Sequence, residues 1–212
     1  DNAIEGNRSQ QGYIVALGPP NTLNAEVVTI HPISWGSTCI RRVCRATLMA
    51  EGFAMIKGTE QGARVRAAVV SCKGLLDLKN WEDTSAANMS HVWLTDCDSL
   101  YEHLVSPKSV SVENKRLAID LMALRQLIWE RGGERTTVVD HSSGDYPRWI
   151  DTSTMIADPL TKPMGAERMI DCMMTGKFDM RPTAESMAIK AKNRVARRAK
   201  RDEEQATKLR SE

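Results

Sequence analysis

Val92-Trp-Leu-Thr-Asp96 decides how the rest of this chain is read. It is a short apolar run of the kind that fills a buried strand, and it ends on an acid. Ser99-Leu-Tyr-Glu-His-Leu104 follows with helical character, and Asp77 to Ser90 ahead of it is polar and turn-rich, a loop. Further upstream, Ala46 to about Val70 is rich in Ala, Met, Glu, Lys and Arg and lacks proline. Leu48, Phe53 and Ile56 recur there at helical spacing, which predicts a long helix. Gly52, Gly58 and Gly62 weaken that helix or let a neighbour pack closely against it. Gly12-Tyr-Ile-Val-Ala-Leu17 is a strand closed by Gly18-Pro19-Pro20. Val27 to Ile30 and Ile33 to Trp35, broken by Pro32, form a second apolar stretch, so two antiparallel strands joined near Asn21 to Asn24 are expected.

Downstream, Leu117, Leu121, Leu124 and Ile128 mark an amphipathic helix over Glu113 to Arg131, closed by Gly132-Gly133. Thr136 to Val139 and Trp149-Ile150 bracket a polar loop, and Ala157 to Gly165, with two prolines, opens the last ordered segment. The order is strand, strand, long helix, strand, helix, helix, strand, helix. Mixed elements of this kind predict an α/β fold, a mixed sheet flanked by helices. Residues 1–165 are assigned to that domain, 166–185 to a linker and 186–212 to a basic tail, helical or disordered.

The formal charge of +2 is too small to imply a polyanionic partner. Its distribution is uneven. Ala188 to Glu212 holds nine Lys or Arg against four acids, a net +5 that leaves −3 on the remainder. The five cysteines are scattered without CxxC spacing, which gives neither a disulfide framework nor a zinc site. No run approaches the ~18 apolar residues of a membrane span, so no membrane association is expected, and the location expected is intracellular.

Three acids stand out by position: Glu51 early in the long helix, Asp96 at a strand end, and Asp158 where the last helix is expected to begin. Ligand sites in open α/β sheets collect at the carboxyl ends of strands. Carboxylates converging there repel one another unless divalent cations lie between them, and hard oxygen donors select Mg²⁺ or Mn²⁺. Two such ions serve in-line phosphoryl transfer. With 27 acids in the chain, spacing alone does not carry this reading.

Five flanking motifs do. Arg8-Ser-Gln-Gln-Gly-Tyr-Ile-Val15, Ile33-Ser-Trp-Gly-Ser37, Arg41-Arg-Val-Cys-Arg-Ala-Thr-Leu-Met-Ala-Glu51, Leu94-Thr-Asp-Cys-Asp-Ser-Leu-Tyr101 and Ala157-Asp-Pro-Leu-Thr-Lys-Pro163 occur in that order. Lys115-Arg-Leu-Ala-Ile-Asp120 and Leu124-Arg-Gln126 match the helix between the last two. Together they resemble the ribonuclease H domain that ends the pol polyprotein of copia-type retrotransposons, from Asp1 to about Met164.

The resemblance implies a ribonuclease H-like fold whose first strand lies mostly upstream of residue 1, behind a reverse transcriptase domain of the same polyprotein. It also implies Mg²⁺-dependent cleavage of the RNA strand of RNA–DNA hybrids during reverse transcription, in a cytoplasmic virus-like particle or the nucleus. Carried over, Glu51 looks like the helix carboxylate between two metal ions, Asp96 the strand-end carboxylate, Asp158 the last acid and Asp1 the remaining strand acid. These four are the expected catalytic residues and the ligands of two Mg²⁺ or Mn²⁺ ions. The alternative is a catalytically inactive relic that binds or tethers nucleic acid.

Around these acids, Arg41, Arg42 and Arg45 are candidate phosphate contacts. Thr95 and Ser99 are candidate contacts to a sugar hydroxyl or phosphate, with helix capping an equal role for Ser99. Asp98 and Asp151 read as solvated loop carboxylates and His141 as a surface histidine. Trp35, Trp93 and Trp149 read as core residues. Met169 to Met180 reads as loose packing.

Overall fold

The computed structural model describes residues 9–41, 43–44, 46–106, 112, 114–131, 144–189 and 191–192. Its elements run β1 (Gln10–Leu17), β2 (Val27–Thr29), β3 (His31–Cys39), α1 (Thr47–Cys72), α2 (Trp81–Asn88), β4 (His91–Thr95), α3 (Asp98–Val105), α4 (Lys115–Arg131), β5 (Asp145–Trp149), α5 (Glu167–Thr175) and β6 (Lys177–Asp179). Mixed α/β character is thus as expected, but the sheet is not continuous. Among the described residues the strands form three pairs: β1 with β3 and β2 with β6, both antiparallel, and β4 with β5, parallel. Parallel strands need a long crossover, and α3 and α4 lie in the chain between β4 and β5.

The hairpin expected from Gly12 to Trp35 is really three strands. β3 starts at His31 and keeps Pro32, which pairs with Ala16 just past a register slip at Val15/Ala16. A proline cannot donate to the ladder, and such an irregularity is where a strand tolerates it. Along β3, His31, Ile33 and Trp35 are exposed and alternate with half-buried Pro32, Ser34 and Gly36. Trp35 is 61% exposed, against the expectation of a core residue. Trp93, by contrast, is buried in one apolar cluster with Leu100, Leu104, Leu117, Leu121, Leu124 and Ile128. Trp149 is half-buried, and its Nε1 donates to the Asp96 carbonyl at 3.2 Å.

Two further expectations are corrected. Asp77 to Ser90 is not a loop but contains a 3-10 turn and α2. Asp77 initiates it by accepting from Lys79 N and Asn80 Nδ2, and Ser85 and Ala86 are buried. A helix of eight residues with only two buried positions leaves almost no apolar periodicity to read. Residues 166–185 are likewise no linker. They hold α5 and β6, and Cys172, Phe178 and Met180 join Val28, Ile30, Ile150 and Ile156 in a second apolar cluster. The expectation of loose packing at Met169 to Met180 fails with it at Met180, although Met174 is 82% exposed.

The glycines of α1 serve close packing. A Cβ on Gly52 would lie 3.2 Å from Leu117 of α4, one on Gly58 3.5 Å from Tyr13 of β1, and one on Gly62 2.1 Å from the His91 ring of β4. The helix therefore lies close to both β1 and β4. Those two strands do not pair with each other. Between them runs a cavity of about 490 Å³, lined by all of β1, all of β4, one face of α1, and Ile150, Ile156 and Phe178 of the second cluster. Interiors seldom keep voids much larger than a water molecule, so this slot is an irregularity of the fold.

Candidate functional site

One end of the slot is acidic. Glu51, one turn into α1, Asp96, just past the end of β4, and Asp158 all line it. Asp158 starts a 3-10 turn (Asp158–Leu160) and is buried, and Lys162 Nζ reaches back one helical turn to its Oδ1 at 2.7 Å. Each acid is delivered by a different segment, so only folding brings them together.

Their mutual influence is electrostatic. Burial pushes the Glu51 carboxyl up from its ordinary 4.5 to about 7; the charges of Asp96 and Asp158 add to this, while Lys162 opposes it. Burial also raises Asp158, with the Asp96 charge adding, against the lowering effect of the Lys162 hydrogen bond and charge. For Lys162, burial disfavours the ammonium, yet the Asp158 hydrogen bond and the charges of Asp158, Asp96 and Glu51 outweigh it and hold its pKa above the ordinary value. Among the described residues, three carboxylates thus share one ammonium. A carboxyl driven toward neutrality by buried like charges is a mark of functional sites.

The turn that carries Asp158 is braced by the β1–β3 ribbon. Gln10 Nε2 donates to Ser37 Oγ at 2.7 Å, and Ser37 Oγ donates to the Leu160 carbonyl. Gly12 leaves the turn its place: a Cβ there would lie 2.8 Å from Thr161 Cγ2 and 2.9 Å from Leu160 Cβ. The Ser-Gln-Gln-Gly and Ile-Ser-Trp-Gly-Ser motifs, far from Asp158 in sequence, therefore act on its position.

Of the other expected site residues, Thr95 is buried and its hydroxyl accepts from Cys97 N at 3.1 Å. Ser99 is exposed and lies within α3, its Oγ 3.4 Å from Cys97 Sγ, and α3 has no side-chain cap bond, so the capping role is not taken up. Arg41 is exposed. Asp1, Arg42, Arg45, His141 and the tail beyond 192 lie outside the described residues. Asp98 is exposed as expected. Asp151 is not solvated: it is 1% exposed and accepts from Ser153 N, Ser153 Oγ and Ser186 Oγ.

Lys162 is not among the residues expected from sequence, although its i,i+4 spacing from Asp158 in Asp-Pro-Leu-Thr-Lys is the signal that finds it. Also unforeseen is the opposite end of the slot. There Arg66 Nη1 meets Asp145 Oδ1 at 3.2 Å, both 3% exposed at the side chain, and His91 accepts from Trp93 Nε1 at 3.0 Å.

As the side chains are placed, no group of three or more His, Cys, Asp or Glu among the described residues is set to hold a metal ion. No helix among the described residues is long and apolar enough to cross a membrane. No protein family, curated protein or solved structure matches this chain.

Proposed function

We propose that this chain is a ribonuclease H-like domain of a copia-type retrotransposon polyprotein, cleaving the RNA strand of RNA–DNA hybrids with two divalent metal ions. The observation that carries the reading is the convergence of Glu51, Asp96 and Asp158. The motifs chose these three among 27 acids, and they couple electrostatically at one end of one cavity.

The donor set suits hard divalent cations, since it offers carboxylate oxygens alone. Glu51, Asp96 and Asp158, with Asp1 as a fourth, are the residues that would hold Mg²⁺ or Mn²⁺. Bound there, the ions would activate water and offset charge on the leaving oxygen. The chain's own part is to concentrate negative charge in a partly buried place. Burial, with neighbouring carboxylate charges adding, raises the proton affinity of Glu51 and Asp158. Lys162 supplies one fixed positive charge beside Asp158. Arg41, Arg42 and Arg45, just ahead of α1, are placed in sequence to meet hybrid phosphates, which gives salt-sensitive binding.

The test is cleavage of a labelled RNA–DNA hybrid in Mg²⁺ by the wild-type chain and by Asp96→Asn. Cleavage by the first and not the second is the expected result, and equal cleavage by both would remove Asp96 from the site. A second reading, hybrid binding without cleavage, rests on Lys162. Its ammonium already pairs with Asp158 at 2.7 Å, where a catalytic cation would compete with it. Hybrid affinity in gel shift, with no product at any Mg²⁺ or Mn²⁺ concentration, is what that reading expects.

A further inference from the structure

At the end of the slot away from the acids, one ring nitrogen has two partners that need opposite things of it. Trp93 Nε1 lies 3.0 Å from His91 Nδ1 and donates to it, while Asp145 Oδ1 lies 3.3 Å from the same Nδ1. A Nδ1 that accepts from the indole carries a lone pair and no hydrogen, whereas a Nδ1 that serves the carboxylate has to donate. The ring cannot meet both at once. Its second nitrogen, Nε2, is turned to Gly62 of α1, where a Cβ would collide with it.

The surroundings decide which form goes with which charge. Among the described residues, Asp145 from β5 and Arg66 from α1 are the charged groups at the ring. Arg64 of α1, Lys73 just past it, and Asp98 and Glu102 of α3 are exposed, and β1 across the slot adds only Tyr13 as a titratable group. With the ring neutral, Asp145 keeps the Arg66 guanidinium at 3.2 Å, and the indole N–H keeps an acceptor. With the ring protonated, Nδ1–H turns to the carboxylate, which Arg66 then shares with a second cation. The indole N–H loses its acceptor inside a side chain only 3% exposed. A buried donor without an acceptor is costly, so the indole has to move. Trp93 packs in one cluster with Leu100 and Leu104 of α3 and Leu121 of α4, so the movement reaches both helices.

We propose that His91 is a pH-operated switch in the packing of β4: neutral, it holds the Trp93 indole, and protonated, it lets the indole go and pairs with Asp145 beside Arg66. Histidine is the side chain that ordinarily changes charge near neutrality, which sets the range in which the exchange operates. The proposal stands apart from the nuclease reading, because each group in it lies at the other end of the slot from Glu51, Asp96 and Asp158.

The experiment is an NMR titration of the full chain from about pH 8 to about pH 5. It follows the His91 ring through its Cε1–H and the Trp93 indole through its Nε1–H. The expected result is that both resonances shift with one midpoint. Protection of the indole N–H, measured against free indole at each pH, should fall about tenfold or more on the acid side. Glu51 titrates in the same range, and His91→Gln separates the two, since its amide accepts the indole N–H without changing charge. In that variant the Trp93 signals should hold constant. A His91 that titrates while Trp93 stays still would overturn the proposal, as would a His91 that remains uncharged throughout. So would a Trp93 shift of equal size in His91→Gln. The wild-type titration decides alone where that variant does not fold.

Discussion

The two ends of the slot both bury charge, and they settle it in opposite ways. At one end Arg66 and Asp145 are nearly inaccessible and pair at 3.2 Å, with His91 Nδ1 3.3 Å from the same carboxylate oxygen. At the other, among the described residues, Glu51, Asp96 and Asp158 share the ammonium of Lys162 and line the cavity. A balanced buried pair is costly to break and contributes chiefly to the arrangement of the elements around it. An unbalanced set raises the proton affinity of its own members and favours any cation that arrives. The contrast teaches that burial of charge does not by itself mark a site; an excess of one sign among the described residues does.

The comparison breaks most readily at the balanced end. Arg66→Met should leave Asp145 without its guanidinium in a buried place and destabilise the fold by about 3 kcal/mol or more in denaturant unfolding. A loss below about 1 kcal/mol would mean that the pair is not a structural anchor. At the unbalanced end the sign reverses. The folded-state pKa of Glu51 lies at about 7, above its ordinary 4.5, so the folded chain holds that proton more tightly than the unfolded one. Its favourable contribution is complete below 4.5 and is lost as pH rises through about 7. Glu51→Gln should therefore gain stability over wild type as pH climbs from 5 to 8. The gain is at most about 3 kcal/mol, since each tenfold change in proton affinity is worth about 1.4 kcal/mol. A gap that does not change with pH would show that Glu51 is not under this strain.

Smaller changes sharpen the picture. Gly12→Ala forces its Cβ onto Thr161 and Leu160 and should cost about 1–3 kcal/mol. Because the turn it displaces carries Asp158, it should also flatten the pH-dependent gap just described. Lys162→Gln, at a partly exposed side chain, should cost about 1 kcal/mol or less. Its distinct mark is a Glu51 titration moved to higher pH, followed through the side-chain carboxyl carbon in NMR.

Much of the fold could be read from residue pattern. The 26-residue α1, the strand at β1 and the apolar run of β4 declare themselves because their periodicities are long or uninterrupted. α2 and the α5–β6 segment do not. They are short, and they are held by a few buried residues, such as Ser85, Ala86, Cys172 and Phe178, too few to generate a pattern. Trp35 misleads for a related reason. Its large apolar surface argues for burial, while the strand it stands on keeps that face of β3 exposed.

The sequence by itself determined which carboxylates to watch, since Glu51, Asp96 and Asp158 stand in motifs recognisable without coordinates. It also determined the mixed α/β character, because local periodicity and turn residues are properties of neighbouring positions. Tertiary structure alone decided that these acids line one cavity, that Lys162 pairs with Asp158 among them, and that Gln10, Gly12 and Ser37 brace the turn beneath Asp158. It alone decided that β1 and β4 stand apart around a slot. The physical reason is the same for each: pairing, burial and charge balance are fixed between segments far apart in the chain, and local patterns hold no information about them.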